Sequence, residues 1–159
     1  MKNNVRALAL VLTAAFVASC QTSGGGDQGA IAVTPRHLNE PIARGEIRVE
    51  AGSAAATEPA FAQLIAPVER ELTRLGWRLV PGNTASEQVA VVNILSGTGT
   101  TGLRVRIQRR SDGHVAWEGL AEGRAAGGSY AERAALFERL AQALFRDFPG
   151  ESGRTIRVR

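Results

Sequence analysis

The chain has 159 residues and a formal net charge of +4, with one cysteine and two histidines. After an N-terminal segment is set aside, this length suits a single domain. One cysteine and two distant histidines supply neither a disulfide nor a clustered set of metal ligands. The arginines alternate with glutamates instead of forming a basic stretch, which argues against a nucleic-acid binding protein. We therefore expect no cofactor, no metal and no nucleic-acid partner.

The N-terminal residues have the pattern of a secretory signal. Lys2 and Arg6 supply positive charge, an apolar run occupies residues 7–18, and small residues precede Cys20. The run is shorter than the roughly 20 apolar residues that span a bilayer. The alternative is an ordinary signal peptide followed by a chance cysteine.

The sequence Val17-Ala18-Ser19-Cys20 resembles a bacterial lipobox. The resemblance implies that the sulfur of Cys20 takes a diacylglycerol, that the peptide is cut before this residue, and that the new amine is acylated. We expect a lipoprotein signal peptide over residues 1–19 and attachment to a membrane through the lipid on Cys20. Gln21 stands where enteric-type sorting places Asp for retention at the inner membrane. This favours the outer membrane, with the domain facing the periplasm, over the inner membrane.

Residues 20–44 are expected to form the lipidated cysteine and a flexible tether, because residues 22–29 are rich in glycine. Within this segment, one short strand is expected around residues 31–33. The periplasmic α+β domain is expected to cover residues 45–159.

Hydrophobic periodicity predicts the elements of that domain. Strands are predicted at 45–52, 77–80, 88–96, 103–110 and 114–124, and residues 155–158 can add a final strand. A first helix lies within 54–75, with Thr57 as its N-cap and either a kink at Pro67 or a start near it. Ser129 and Glu132 form a capping box for a second helix that ends near Phe148 and buries Tyr130 on its apolar face.

The link between the strands at 103–110 and 114–124 allows a register to be predicted. A three-residue loop, with Gly113 in the left-handed region, places Ile107 opposite Trp117 and Arg106 opposite Glu118. A two-residue turn would instead place Ile107 opposite Glu118 and mix the two faces.

These elements predict an α+β fold, a two-layer sandwich in the order β-α-β-β-β-β-α. Two helices cover one face of an antiparallel-rich sheet of about five strands. The sequences at 75–80 (LGWRLV), 113–119 (GHVAWEG) and 148–153 (FPGESG) resemble a family of small bacterial envelope lipoproteins of unknown function. The resemblance covers most of residues 45–159 and implies a lipobox before a β-α-β-β-β-α domain, with no established activity.

No catalytic set is recognised, since there is no Gly-x-Ser-x-Gly elbow and only His37 and His114 could act as an imidazole base. Arg78, Arg104 and Arg106 lie on outward strand faces. They can bind an anionic sugar, a lipid phosphate or a partner's carboxylate, or they can pair with nearby glutamates. Trp77 and Trp117 are expected in the core.

The sequence therefore predicts a membrane-anchored, non-enzymatic binding or structural module of the cell envelope. Its expected partner is an envelope protein or the cell wall, bound at the open sheet face or the sheet edge. One alternative is an envelope hydrolase or glycan-modifying enzyme, which needs a cleft joining His114, Asp112 and a serine. The other is a small-ligand or lipid carrier, which needs an apolar cavity between sheet and helices.

Overall fold

The computed structural model describes residues 29–52, 61–124 and 129–159, except for the side chain of Phe61. The described elements follow the order β-β-α-β-β-β-β-α-β. They are β1 (Ile31–His37), β2 (Glu46–Ala51), α1 (Phe61–Arg74), β3 (Arg78–Leu79), β4 (Gln88–Gly97), β5 (Thr100–Arg109), β6 (Val115–Arg124), α2 (Tyr130–Phe145) and β7 (Ile156–Val158). The predicted signal peptide, Cys20 and residues 21–28 of the predicted tether lie outside the described residues.

The seven strands form one sheet in the order β3-β2-β4-β5-β6-β1-β7. β2 is parallel to β3 and β4, because α1 lies between β2 and these strands in the chain and acts as a crossover. The other four pairings are antiparallel. Both helices pack on one face of the sheet. The predicted class, α+β with an antiparallel-rich sheet under two helices, is confirmed, although the sheet has seven strands instead of about five.

The two additional strands lie side by side in the sheet. β1 pairs with β6 from Ala32 to His37, and β7 pairs with β1 from Ile31 to Val33. The sequence predicts only a short strand here, because Pro35 and the polar residues around it break the apolar alternation. In the structure, Pro35 is buried opposite Gly119, and Ile31 and Val33 face the core. Part of the predicted tether, residues 31–37, therefore belongs to the sheet.

The register of the β5–β6 hairpin is as predicted over most of its length. Ile107 lies opposite Trp117, and Arg106 lies opposite Glu118. Gly113 is left-handed, with φ 70. The loop differs from the prediction because the register shifts by one residue after Ile107, and the N–H of Arg109 donates to the carbonyl of His114. Residues 110–113 thus connect the strands, and a bulge restores the predicted register.

Helix α1 continues through Pro67, so the alternative in which the helix begins near this residue is wrong. Pro67 lacks the N–H that would donate to the carbonyl four residues earlier. Its ring is buried, and the apolar contacts that it gains offset part of this loss. The predicted N-cap Thr57 lies outside the described residues.

Helix α2 begins with the predicted capping box. The Ser129 hydroxyl accepts from the N–H of Glu132, and the Glu132 carboxylate accepts from the N–H of Ser129. The helix ends at Phe145, and Phe148 follows it in a turn. Tyr130 is 42% exposed, so its predicted burial is wrong. As the first helical residue it reaches α1, where its hydroxyl donates to Gln63.

Four aromatic rings fill the core between the sheet and the C-terminal end of α2. Trp117 stacks on Phe145 with ring centroids 5.5 Å apart and meets Phe148 at 5.0 Å. Trp77 meets Phe148 edge-on at 5.5 Å. Both tryptophans are buried, as predicted, and the Nε1–H of Trp117 donates to the carbonyl of Pro149 at 3.0 Å. The indole donor of Trp117 is therefore satisfied inside the core.

Candidate functional site

The face of the sheet opposite the helices, called the open face below, displays alternate residues of every strand. At its centre, on β5, lie Arg104 and Arg106. Arg106 lies between Val91 and Glu118, while Arg104 has Leu120 as one of its cross-strand neighbours. The strands place seven arginines and four glutamates on this face: Arg36, Arg48, Arg78, Arg104, Arg106, Arg124, Arg157, Glu46, Glu50, Glu118 and Glu122.

Arg104 and Arg106 are half-buried, and the Nε atom of each is buried without a hydrogen-bond partner in the described part of the chain. Neither guanidinium forms an ion pair within residues 29–52, 61–124 and 129–159. The register places Glu118 opposite Arg106, but the expected pairing with glutamates of β6 is not formed. A buried donor without a partner costs about 1–3 kcal/mol. A ligand cannot reach these buried Nε atoms, but its acceptor oxygens can bind the terminal nitrogens of both groups, which are not buried.

Arg48 has the third buried Nε without a partner, but its other nitrogens are occupied. Its Nη1 donates to the carbonyl of Gly82 at 2.8 Å, and its Nη2 pairs with Glu50. Arg110 pairs with the same carboxylate. The loop that contains Gly82 is thereby fixed to the β2 side of the open face. The sequence predicts no role for Arg48, because a contact with a distant loop has no local signal in the sequence.

Arg78 lies apart from the other two predicted binding residues. It is on β3 at the edge of the sheet, and β2 and β4 separate it from β5. With neighbouring strands about 4.8 Å apart, this separation is about 14 Å. Its guanidinium pairs with Glu46 at 2.7 Å and is largely exposed. The structure therefore brings together Arg104 and Arg106 and leaves Arg78 outside the site.

The residues named for a hydrolase meet only at the exposed tip of the β5–β6 hairpin. The backbone N–H of His114 donates to Asp112 and lowers the pKa of this carboxyl group. The imidazole of His114 lies 3.7 Å from Glu40, and the hydroxyl of Ser111 donates to Glu87. A nucleophile, a base and a group that orients the base are thus not joined in this cluster.

His37 is held by backbone contacts. Its Nδ1 accepts from the N–H of Asn39 at 3.1 Å, and its Nε2 lies 3.0 Å from the carbonyl oxygen of Gly150. An Nδ1 that accepts leaves Nε2 as the protonated nitrogen, which donates to this carbonyl. Both ring nitrogens therefore serve the junction between β1 and the segment that follows α2.

The space where a carrier would hold an apolar cargo is filled. Trp117, Phe145 and Leu140 occupy it between sheet and helices, and each is 0% exposed.

In the described part of the chain, no group of three or more His, Cys, Asp or Glu residues could hold a metal ion. None of the described helices has the length and apolar character needed to cross a bilayer.

No family model and no curated protein matches this sequence. Solved structures with similar folds include the PelC dodecamer from Paraburkholderia phytofirmans, at 18% identity and a TM-score of 0.45, covering 70% of this chain and 94% of that one. A DUF330 protein from Xanthomonas campestris has 14% identity and a TM-score of 0.42, covering 69% and 84%. Lipoprotein GNA1162 from Neisseria meningitidis has 12% identity and a TM-score of 0.38, covering 68% and 100%.

Proposed function

We propose that this chain is a lipid-anchored, non-enzymatic module of the bacterial envelope that binds an acidic protein partner through its open face. The observation that carries the proposal is the pair Arg104 and Arg106, half-buried at the centre of the sheet and without ion pairs among the described residues. Their fork-shaped guanidinium groups match the geometry of a carboxylate. The half-buried apolar side chains of Val91 and Leu120 beside them provide area that a protein partner can cover.

The face of the sheet is better suited to binding than its edges. The edge strands are short, with two residues in β3 and three in β7. Beyond β7, the free edge of β1 is occupied by the C-terminal segment, because Gly153 donates to the carbonyl of Pro35 and the hydroxyl of Ser152 accepts from the N–H of His37. A foreign strand would have to displace these contacts. These contacts favour the face over the edge, the two contact surfaces that the sequence left open.

The proposed location is the periplasmic side of the outer membrane, with the lipid on Cys20 as the anchor. It is supported by the lipobox resemblance and by Gln21 in the position that follows Cys20. Replacing Cys20 with alanine should leave the precursor uncut and should abolish its extraction with the detergent-soluble lipoprotein fraction. Stable association of this variant with the outer membrane would contradict the anchor.

The binding proposal is tested by photocrosslinking in cells. A photoreactive residue at Gln108, on the open face of β5, should give one dominant protein adduct, whereas the same residue at exposed Ala135 on α2 should not. Replacing both Arg104 and Arg106 with glutamine should remove the adduct at Gln108. Exchange of Arg133, an exposed arginine of α2, is the matched control and should leave it unchanged. A glycan or lipid adduct, or equal adducts at both positions, would overturn the proposal of a protein partner.

A further inference from the structure

A second basic feature lies on the helical side of the domain. It is a groove of about 340 Å³ between α1, α2 and the edge formed by β1 and β7. This groove, called the basic groove below, is lined by four arginines and one acidic side chain: Arg74, Arg139, Arg146, Arg159 and Glu71. Its volume is at the lower end of the roughly 300–1,000 Å³ typical of ligand pockets. The charges of its lining favour an anion.

Two of these arginines are about half exposed, at 53% for Arg74 and 52% for Arg146. Arg74 uses its Nε to pair with Glu71 and one terminal nitrogen to reach the carbonyl of Phe145. Among the described residues, Arg146 pairs with Asp147 alone, through its Nε and Nη2, each 3.4 Å from the carboxylate. Each guanidinium group has further N–H donors, and both residues line the groove, so an oxygen-rich anion in it can accept from them.

The basic groove adjoins the point at which the chain leaves for its anchor. Gly29 lines it, and the Nη2 of Arg139 donates to the carbonyl of Gly29 at 2.7 Å. Nine peptide links join Cys20 to Gly29, and at full extension they span about 30 Å. If Cys20 is lipidated, the basic groove therefore stays within that distance of the bilayer, whatever path these residues take.

We propose that the basic groove binds the phosphate of anionic lipid headgroups in the membrane that holds the anchor. This rests on the lipid anchor of the proposed function. Arginines near an anionic leaflet are attracted to it, and the attraction is screened by salt beyond a distance of about 8 Å. Because the basic groove lies on the helical side, bound headgroups turn the helices towards the membrane. The open face, with Arg104 and Arg106, is then directed away from the membrane and is accessible to a partner.

The test uses the mature, lipidated chain in nanodiscs that carry a nitroxide quencher on the lipid headgroups. Acylation consumes the thiol of Cys20, so a single introduced cysteine can be labelled with a fluorophore. Two positions are compared: Thr73→Cys on α1, on the helical side and next in the chain to Arg74 of the basic groove, and Glu122→Cys on the open face; both side chains are exposed. Each label is measured in phosphatidylcholine discs and in discs that also contain phosphatidylglycerol.

In discs with phosphatidylglycerol, the label at position 73 should be quenched more strongly than the label at 122, and high salt should reduce the difference. Replacing Arg139 and Arg146 with glutamine should lower the ratio of groove-down to other orientations about fivefold per arginine. Arg133→Gln, elsewhere on α2, should leave it unchanged. Thermal unfolding of each variant confirms that it is folded.

Equal quenching at both positions in both lipids would overturn the proposal, and so would a difference that is insensitive to the two arginine exchanges. If the label at position 73 were quenched more strongly than the label at 122 in pure phosphatidylcholine as well, the basic groove would not be selecting anionic lipids. A chain that does not enter the discs at all would contradict the anchor itself. The nanodiscs contain no partner protein, and the crosslinking experiment detects a protein adduct and not quenching by lipid, so failure of one proposal can be told from failure of the other.

Discussion

Gly119 is where the sheet allows the large indole of Trp117 to lie flat in the core. A Cβ atom at position 119 would come within 2.2 Å of the Trp117 ring and within 2.7 Å of the side chain of Leu144. The Trp117 ring and the Leu144 side chain have no space to move away, because both are buried and the ring stacks on Phe145. The close approach of the backbone, not a special φ, therefore requires glycine here.

Gly119→Ala should reduce the free energy of unfolding by about 1–3 kcal/mol, the usual cost of overpacking a core. The matched control is Gly45→Ala, since a Cβ at position 45 meets nothing within 4 Å. This control should change stability by less than about 0.5 kcal/mol. Chemical denaturation followed by circular dichroism measures both. Equal stability of the two variants would contradict the packing described for Trp117.

Glu118 lies in one cross-strand row between Arg106 on β5 and Arg36 on β1. Glu118→Arg would place three arginines side by side and should destabilise the domain by about 0.5–1 kcal/mol. Glu118→Gln removes no ion pair of the described residues and should change stability by less than about 0.5 kcal/mol. Thermal melting of the two variants tests this order. A charge-reversed variant as stable as the glutamine variant would argue against the row.

At the scale of elements, the capping box of α2 shows how a local sequence signal can carry a whole prediction. Ser129 and Glu132 satisfy each other's backbone N–H groups within one turn, so no distant residue is needed. Ser129→Ala should lower the free energy of unfolding by about 1 kcal/mol. Ser129→Asp keeps an acceptor at the cap and should retain most of the stability.

The same box gives α2 a pH dependence. Hydrogen bonds from the hydroxyl and the backbone N–H of Ser129 hold the pKa of Glu132 below its ordinary value of 4.5. Because the folded state binds this proton less tightly than the unfolded state, its contribution to stability is present above about pH 4.5 and is lost as the pH falls through the lowered pKa. The free energy of unfolding of the natural chain and of Glu132→Gln should be measured at pH 7 and pH 3. The difference between the two chains should be smaller at pH 3. A larger difference at pH 3 would contradict the predicted direction of this pH dependence.

The β5–β6 hairpin marks how far sequence patterns reach. Strict alternation fixed which residues share a face, so the pairing of Ile107 with Trp117 was predictable. The four-residue connection and the bulge before Trp117 could not be predicted. A three-residue and a four-residue loop both allow the same register when one strand carries an extra residue. Of the candidate site, the pattern placed Arg104 and Arg106 on one face, but only the sheet order separates Arg78 from them.

At the scale of the whole molecule, β1 shows what local patterns could not provide. Its short apolar alternation becomes a full strand only because β6 and β7 flank it. The predicted domain boundary at Gly45 leaves this strand out. A chain that begins at Gly45 should therefore lack a cooperative unfolding transition, since β6 loses one of its two neighbours and β7 has none. A chain that begins at Gly29 keeps every described strand and should melt cooperatively. Cooperative melting of the shorter chain would contradict the sheet order.

The position of β1 also has a consequence for how the protein is made. Ala32 pairs with Glu122, and Ile31 pairs with Val158. The first strand to be synthesised, β1, therefore cannot pair until β6 and β7 have been made. At about 5–20 residues per second, this delay is on the order of ten seconds. Folding rates fall as such distant contacts dominate a topology. The sheet thus stays incomplete during synthesis, which would keep the precursor competent for export if residues 1–19 act as the predicted secretory signal.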